Sequence, residues 1–185
     1  MPSTNRLLGL FCLVASLLIA TAASADTIPV AGAELRVEDE DVVLNAQFDV
    51  VFNPTLEEAL LKGVSLYFVL DFELARPRWY WFDEKVIEQS VQYRVTYSPL
   101  TRQYRITSGL LSQQLDTIEE VERQLSRVVS RPVAELDKLT RGARYDAAVR
   151  LRLDVTLLPK PFQINALASR DWSLQSDWYR WGFTP

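Results

Sequence analysis

Apolar and polar residues alternate along much of this chain, and this alternation constrains the fold more than any other feature. Every second residue from Val64 to Leu74 is apolar, whereas Asp71 and Glu73 occupy positions between them. The same period of two recurs from Leu44 to Phe52 and from Tyr145 to Val155. Successive side chains of a β-strand point to opposite faces of a sheet, so the pattern predicts strands that each bury one face.

The segment from Ile87 to Ile106 predicts a β-hairpin. Alternating apolar residues reach Tyr97, the residues Ser98-Pro99-Leu100-Thr101 have the composition of a turn, and Tyr104 resumes the alternation. Two such runs joined by a short turn usually pair with each other. We therefore expect antiparallel neighbours here.

Two short helices are predicted between the strands. The first begins at Pro54, has Asn53 as its N-cap and stops at Gly63. The second lies between residues 116 and 129, where the apolar period becomes helical and a capping box marks the start. Arg131-Pro132 is expected to terminate it.

The predicted strands outweigh the helices. We therefore expect a mainly β fold, either an antiparallel sandwich or a strongly curved sheet of about seven strands with two short helices. An α+β sheet with helices over one face is the alternative. After the strand from Tyr145 to Val155, a break is expected at Pro159-Lys160-Pro161. The aromatic tail from Trp172 to Phe183 is expected to be extended, although residues 169–175 could form a helical turn.

The first residues of the chain have the features of a secretion signal. Arg6 precedes an apolar stretch from Leu7 to Ala20, and Ala23-Ser24-Ala25 has the pattern of a signal-peptidase site. We expect residues 1–25 to be cleaved, which would leave the protein in the periplasm. The alternative is an uncleaved inner-membrane anchor, but the apolar stretch is shorter than the roughly 17 to 25 residues that span a bilayer.

Residues 26–185 are expected to form a single β-rich domain, because their number suits one hydrophobic core. Removing the signal takes away Arg6 and no acidic residue, so 20 basic residues become 19 against 24 acidic ones and the net charge changes from -4 to -5. Nucleic acids and anionic lipid surfaces attract clustered Lys and Arg, so this acidity argues against both partners. No cofactor is implied.

The chain contains no histidine, and its only cysteine is Cys12 in the signal segment. These absences exclude from the cleaved domain a Ser-His-Asp triad, a Cys-His pair and zinc sites with imidazole or thiolate ligands. Carboxylate chemistry remains, with Asp71, Glu73, Asp83 and Glu84 as candidates for a glycoside-hydrolysing pair. Acidic residues on strand edges and turns are, however, most often solvated surface groups.

Two aromatic segments also contain basic residues: the first is Arg76 to Phe82, and the second is the tail from Trp172 to Trp181. All five tryptophans lie in them. Trp, Tyr and Arg dominate binding hot spots, and Trp rings stack on sugars, so these segments are a candidate contact surface. The same residues would equally well cap the core, with arginines stacked over buried rings, and this arrangement is the more common one. The candidate binding residues are Arg76, Arg78, Trp79, Tyr80, Trp81, Trp172, Trp178 and Trp181.

Four short motifs are distinctive in combination. They are Arg78-Trp79-Tyr80-Trp81, Tyr97-Ser98-Pro99-Leu100-Thr101-Arg102-Gln103-Tyr104, Leu151-Arg152-Leu153-Asp154 and Leu158-Pro159-Lys160-Pro161-Phe162. Together they resemble the family catalogued as domain of unknown function 4390, over residues from about Ala33 to Phe183. The resemblance implies a short exported protein of a Gram-negative bacterium with no established activity. It supplies no catalytic residues.

These observations favour a periplasmic binding or interaction module without catalysis, whose partner is a protein or a glycan. The many large residues on one side of the predicted sheet leave a second possibility, a curved sheet that carries an apolar ligand. A third is a carboxylate-based hydrolase of glycans. A closed core, an open cavity and an acidic cleft would distinguish the three in a structure.

Overall fold

The structure is a computed structural model and describes residues 27–78 and 84–185. These residues form nine strands and three α-helices. The strands are β1 (Val30–Glu38), β2 (Asp41–Phe48), β3 (Leu66–Arg76), β4 (Glu84–Ser98), β5 (Gln103–Ser108), β6 (Leu111–Leu115), β7 (Arg127–Glu135), β8 (Tyr145–Leu153) and β9 (Tyr179–Phe183). The helices are α1 (Pro54–Leu61), α2 (Ile118–Leu125) and α3 (Lys160–Ala168), with 3-10 turns at Leu136–Lys138, Val155–Leu157 and Arg170–Trp172.

The strands form two antiparallel sheets that share one apolar core. A three-stranded sheet has the order β1-β2-β7, and a six-stranded sheet has the order β6-β5-β4-β3-β8-β9. Side chains of both sheets belong to the same buried cluster, for example Leu44 of β2 and Phe68 of β3. The prediction of a mainly β antiparallel fold is confirmed, with more strands than the sequence pattern had indicated.

Strand β3 lies inside the six-stranded sheet and shows the predicted alternation. It pairs with β4 on one side and with β8 on the other. Its inner face carries Leu66, Phe68, Leu70, Phe72 and Leu74, all at most 2 % exposed. The intervening residues therefore form part of the outer face of this sheet, where the polar side chains discussed below lie.

The predicted hairpin and both predicted helix starts are confirmed. Strands β4 and β5 pair, with Tyr97 opposite Tyr104. The Asn53 side chain caps α1 by accepting a hydrogen bond from the Leu56 backbone N–H at 3.0 Å. The Thr117 hydroxyl caps α2 by accepting one from the Glu120 backbone N–H at 3.3 Å.

The predicted end of the second helix at Arg131-Pro132 is wrong. Helix α2 already ends at Leu125, and the chain continues as β7, which pairs with β2. Val128 and Val133 are buried, so the apolar spacing that was interpreted as helical is also satisfied by an irregular strand. Pro132 is tolerated there because β7 is the last strand of its sheet and a missing N–H costs little at an edge.

The strand has ended before Pro159-Lys160-Pro161, as expected, and a third helix that was not predicted begins at these residues. Pro159 is the N-cap of α3 and Pro161 lies in its first turn, where a missing N–H removes no helical hydrogen bond. In the tail, residues 179–183 are extended as β9, and residues 170–172 form the helical turn that was the alternative.

The described residues contain no helix that is long and apolar enough to cross a membrane. The predicted signal segment, residues 1–25, lies outside the described part of the chain, as do Trp79, Tyr80, Trp81 and Asp83. Signal cleavage and the single domain from residue 26 onward stay predictions.

Candidate functional site

The described tryptophans of the tail do not share one surface. Because side chains alternate along β9, Trp181 packs against the core whereas Arg180 faces outward. Trp172 is 5 % exposed, and its ring centroid lies 5.8 Å from that of Phe162. Trp178, in contrast, is half-buried on the outer face of the six-stranded sheet. A contact surface built from all three rings is therefore not present.

The arginines that begin the first aromatic segment have partners inside the protein. The Nη2 atom of Arg76 donates to the Tyr145 hydroxyl at 2.9 Å and to the Thr140 hydroxyl at 2.9 Å. Arg78 forms an ion pair with Glu84 at 2.5 Å. Burial raises the pKa of the Tyr145 phenol, but the hydrogen bonds from Arg76 and Thr140 outweigh it, so the net pKa is below the ordinary value. Arg76 thus closes one end of the core.

Trp178 covers an ion pair on the outer face. The guanidinium carbon of Arg150 lies 4.5 Å from the centroid of the Trp178 ring, and that of Arg180 lies 5.9 Å from it. The Nε atom of Arg150 also donates to Asp71 Oδ2 at 2.9 Å. The arrangement combines a cation–π contact with a charge-assisted hydrogen bond, as expected for an aromatic residue that shields a charged pair.

Asp71 is the acceptor at the centre of this cluster and is only 7 % exposed. Its carboxylate accepts hydrogen bonds from Ser90 Oγ at 2.7 Å and from the Nε atoms of Arg150 and Arg152, each at 2.9 Å. Burial alone raises the pKa of Asp71, but these hydrogen bonds and the charge of Arg152 outweigh it and hold the pKa below its ordinary value. The sequence correctly predicted its outward direction but not its burial.

The described acidic candidates give the hydrolase hypothesis no support. Glu73 pairs with Lys85 at 2.8 Å, and Glu84 pairs with Arg78. A general acid must hold its proton near the working pH, whereas the environment of Asp71 favours the ionised form. Within residues 27–78 and 84–185, no group of three acidic side chains could hold a metal ion.

An open groove of about 710 Å³ lies between the last strand of each sheet, β6 and β7. We call it the β6–β7 groove. Ser112 and Gln113 form part of its β6 wall, and residues 127–132 form its β7 wall. At a neighbouring position β4 and β7 are in contact, because Gln89 Nε2 donates to the Val133 carbonyl at 2.9 Å. The groove is thus a place where the two sheets separate.

The floor of the groove is apolar. Ile106 of β5 and Val128 of β7 line it and belong to the buried core cluster, against which Tyr93 of β4 also packs. Burial raises the pKa of the Tyr93 phenol, and the nearby positive charge of Arg131 acts in the opposite direction. A cation therefore lies beside an apolar surface at the edge of the core.

Three arginines border this region without an ion-pair partner among the described carboxylates. Arg127 and Arg131 line the β6–β7 groove, and Arg94 and Arg131 line a second groove of about 850 Å³ on the other side of the β5–β6 hairpin. No carboxylate among the described residues forms an ion pair with any of these three. In a chain with net charge -4, they bring three positive charges to one region. The nearby Glu38 carboxylate accepts a hydrogen bond from Ser130 Oγ at 3.5 Å.

Exposed aliphatic residues adjoin these arginines. At the tip of the β5–β6 hairpin, Leu110 is fully exposed and Leu111 is 78 % exposed. Val129 of β7 is 67 % exposed. Leu111 lines both grooves, as Arg131 does. Exposed aliphatic groups surrounded by polar residues mark interaction surfaces, and arginine is enriched in such surfaces.

The sequence did not reveal this groove. Its walls come from β6 and β7, which are not paired with each other, and β6 was not predicted at all. The available signal was the run Gly109-Leu110-Leu111, because adjacent leucines after a turn glycine are unusual at an exposed position. That signal indicates an exposed patch but does not specify what lies opposite.

Fold and groove together define a class of protein, a small antiparallel two-sheet domain with an arginine-bordered groove between two strand edges. The family described as domain of unknown function (DUF4390) matches residues 25–182. The chain belongs to this family, and the resemblance carried by its motifs is confirmed. No curated protein and no solved structure matches the chain significantly.

Proposed function

We propose that this protein is an exported periplasmic binding module without catalysis, and that the β6–β7 groove is its contact surface for a partner protein. The observation that carries the proposal is the proximity of two kinds of group in one groove. Leu111 and Val129 expose aliphatic surface, and Arg127 and Arg131 lack acidic partners among the described residues. Covering the first and pairing the second are both favourable on association.

Export is proposed from the N-terminal segment. The apolar stretch from Leu7 to Ala20 and the small residues that end at Ala25 are typical of a cleaved signal. The chemistry of the remaining residues agrees with binding, since histidine is absent from the chain and its only cysteine precedes the expected cleavage point. Both residue types supply the common nucleophiles and general bases of hydrolases.

A protein partner suits the groove better than an apolar small ligand. The volume of about 710 Å³ is within the range of ligand sites, but the groove is open and bordered by arginines. Deeper in the core, the rings of Phe52 and Phe68 stack with centroids 5.3 Å apart and fill the space between the sheets. A carrier of apolar molecules would instead enclose its ligand.

The outer face around Trp178 is a secondary candidate surface, and a glycan is the partner that it suits. The ring is half-buried, and Arg180 next to it is exposed. Its stacking and ion-pair contacts with Arg150 are, however, already satisfied within the protein. The groove has exposed aliphatic side chains and arginines that form no ion pair with a described carboxylate, and it therefore has more free energy to gain from a partner.

Site-specific photo-crosslinking in intact cells tests the proposal. A photoreactive phenylalanine analogue replaces Leu111 in the groove or Ile164 of α3, which is also exposed at 68 % but lines none of the grooves described above. We expect a discrete protein adduct from position 111 and none of the same mass from position 164. Fractionation of the same cells reports whether the protein is periplasmic.

Charge reversal supplies the specificity control. Arg131→Glu should reduce the adduct from position 111 about tenfold, because it removes a cation beside the aliphatic surface and adds repulsion towards an acidic partner. Arg144 immediately precedes β8, and its side chain is 77 % exposed. Arg144→Glu should leave the adduct unchanged. An adduct that is equally strong from both positions, or insensitive to Arg131→Glu, would contradict the proposed surface.

A further inference from the structure

Strand β6 presents an open edge to the groove. It pairs with β5 on one side in a regular register, and no strand of the described residues pairs with its other side. Gly109-Leu110 forms the two-residue loop of this hairpin, and Ser108 and Leu111 close it. In hairpins of this kind the closing pair exchanges hydrogen bonds, so Ser112 and Gln114 direct their N–H and C=O groups away from β5.

The β6 edge lacks the features that usually protect strand edges. Its sequence, Leu-Ser-Gln-Gln-Leu, contains no charged residue and no proline. Strand β7 across the groove has several such features: Pro132, a positive φ of 42° at Ser130 and two shifts in its register with β2. Bulges, prolines and charges prevent a further strand from pairing with an edge. Only β6 of the two walls is suited to accept one.

We infer that an extended segment of the partner protein adds to β6 as a further antiparallel or parallel strand, with aliphatic and acidic residues alternating along it. This inference rests on the proposed function, since it specifies how the partner occupies the β6–β7 groove. Main-chain hydrogen bonds to the free groups of Ser112 and Gln114 provide the binding, and the side chains provide the selectivity.

The alternation follows from the two environments that an added strand would meet. Its side chains point to opposite faces of the sheet, and one face looks into the groove. There, Val129 exposes an apolar surface, and Ile106 and Val128, which are at most 7 % exposed, line the groove beside it. Acidic side chains are favoured at the rim because Arg127 and Arg131 lie on the opposite wall without acidic partners among the described residues.

Charge also decides between a partner and a second copy of this chain. The β6 sequence is apolar at both ends, so two copies could pair edge to edge in an antiparallel manner. Such pairing would bring Arg127 and Arg131 of one copy towards those of the other. Like charges across an interface oppose association, whereas an acidic segment neutralises them.

Binding of a designed peptide tests the inference. The probe is a blocked peptide of about nine residues in which Val and Glu alternate, long enough to cover a strand of typical length. Matched peptides replace Glu by Lys, or keep the Val/Glu composition in two separate blocks. We expect the alternating Val/Glu peptide to bind at least about tenfold more tightly than either control in titration calorimetry, and to shift the amide resonances of residues 111–115 in NMR spectra.

Two sets of variants distinguish strand addition from contact of another kind. Ser112→Pro removes an outward N–H and should abolish binding, whereas Ser112→Ala keeps that N–H and should bind as the native protein does. Both lose the same side-chain contact with Thr107 at 3.5 Å, and circular dichroism verifies their folding. The double variant Arg127→Glu with Arg131→Glu should reverse the preference from the Val/Glu to the Val/Lys peptide, which provides a second test if Ser112→Pro does not fold.

The outcomes separate this inference from the proposed function. Absence of Val/Glu binding, equal binding by Ser112→Pro and Ser112→Ala, or amide shifts confined to other strands would overturn strand addition. If sedimentation experiments showed that the unliganded protein is a dimer and that Ser112→Pro is a monomer, the occupant of the β6 edge would be a second copy of the chain instead of a partner. In each of these cases the photo-crosslink from position 111 remains an independent test of the groove as a contact surface.

Discussion

Asp71 is the residue on which the outer face of the six-stranded sheet depends most. Two guanidinium groups and one hydroxyl donate to its carboxylate, and Trp178 covers one of the donors. Removing the charge would leave Arg150 without a counter-ion. Arg152 would keep only Asp154, whose Oδ2 lies 3.5 Å from Arg152 Nη1. An ion pair with little solvent exposure is costly to break on one side, since the remaining charges stay desolvated.

Asp71→Asn should therefore lower the free energy of unfolding by about 2 to 3 kcal/mol at pH 7. Urea denaturation of the native protein and the variant measures the difference. Glu73→Gln is the matched control, because Glu73 lies on the same face of β3 but pairs with a half-exposed lysine, and it should cost about 0.5 kcal/mol or less. Equal losses for the two variants would show that the cluster around Asp71 has no special role.

The difference between Asp71→Asn and the native protein should depend on pH. The pKa of Asp71 is lower in the folded than in the unfolded protein, so ionisation of Asp71 stabilises the fold. This contribution is fully present above the ordinary value of 3.8 and is lost as the pH falls below it. The two denaturation curves should converge in that acidic range, and a gap that widens on acidification would contradict the assignment.

Among the elements, the starts of α1 and α2 were predictable, and so was the end of α1, because Gly63 follows that helix with a positive φ of 84°. The end of α2 was not predictable. Asn53 and Thr117 cap α1 and α2 through local hydrogen bonds, which depend on residues three positions apart. The end of α2 depends instead on the pairing of β7 with β2, distant in the sequence. Local patterns cannot predict such pairing, because a half-buried strand with a bulge has no strict period.

The two caps should differ in their contribution to stability. Thr117→Ala should cost about 1 kcal/mol, the usual value for loss of a capping hydrogen bond. Asn53→Ala should cost about 2 kcal/mol, since Asn53 Nδ2 also donates to the Asp171 carbonyl at 2.7 Å and so connects α1 to the turn before β9. Thermal or urea denaturation measures both, and equal losses would indicate that the second hydrogen bond contributes nothing.

The candidate site could be predicted from the sequence only in part. Arginine and exposed aliphatic residues line the proposed groove, whereas the described residues of the two aromatic segments do not line it. Trp172 packs against the core from the 3-10 turn, and Trp181 does so because side chains alternate along β9. Arg131, interpreted as a helix terminator, instead lines two grooves. The role proposed for Arg131 depends on the positions of Leu111 and Tyr93 in the folded protein, and a local sequence pattern does not specify these positions.

At the scale of the whole molecule, the groove results from two sheets of unequal size. The six-stranded sheet extends beyond the three-stranded one, so that β6 and β7 face each other without pairing. The β5–β6 hairpin, whose sequence pattern is weak, forms one wall of the groove and separates it from the neighbouring one. A partner that occupies the groove would bridge the two sheets.

Hydrogen–deuterium exchange with mass spectrometry tests this account most directly. The purified protein is compared alone and together with the protein identified by the crosslink from position 111. We predict slower exchange in residues 108–132, which contain β6 and most of β7, with no change in α3. Protection confined to β9 and Trp178, or no protection in residues 108–132, would contradict the assignment of the β6–β7 groove as the contact surface.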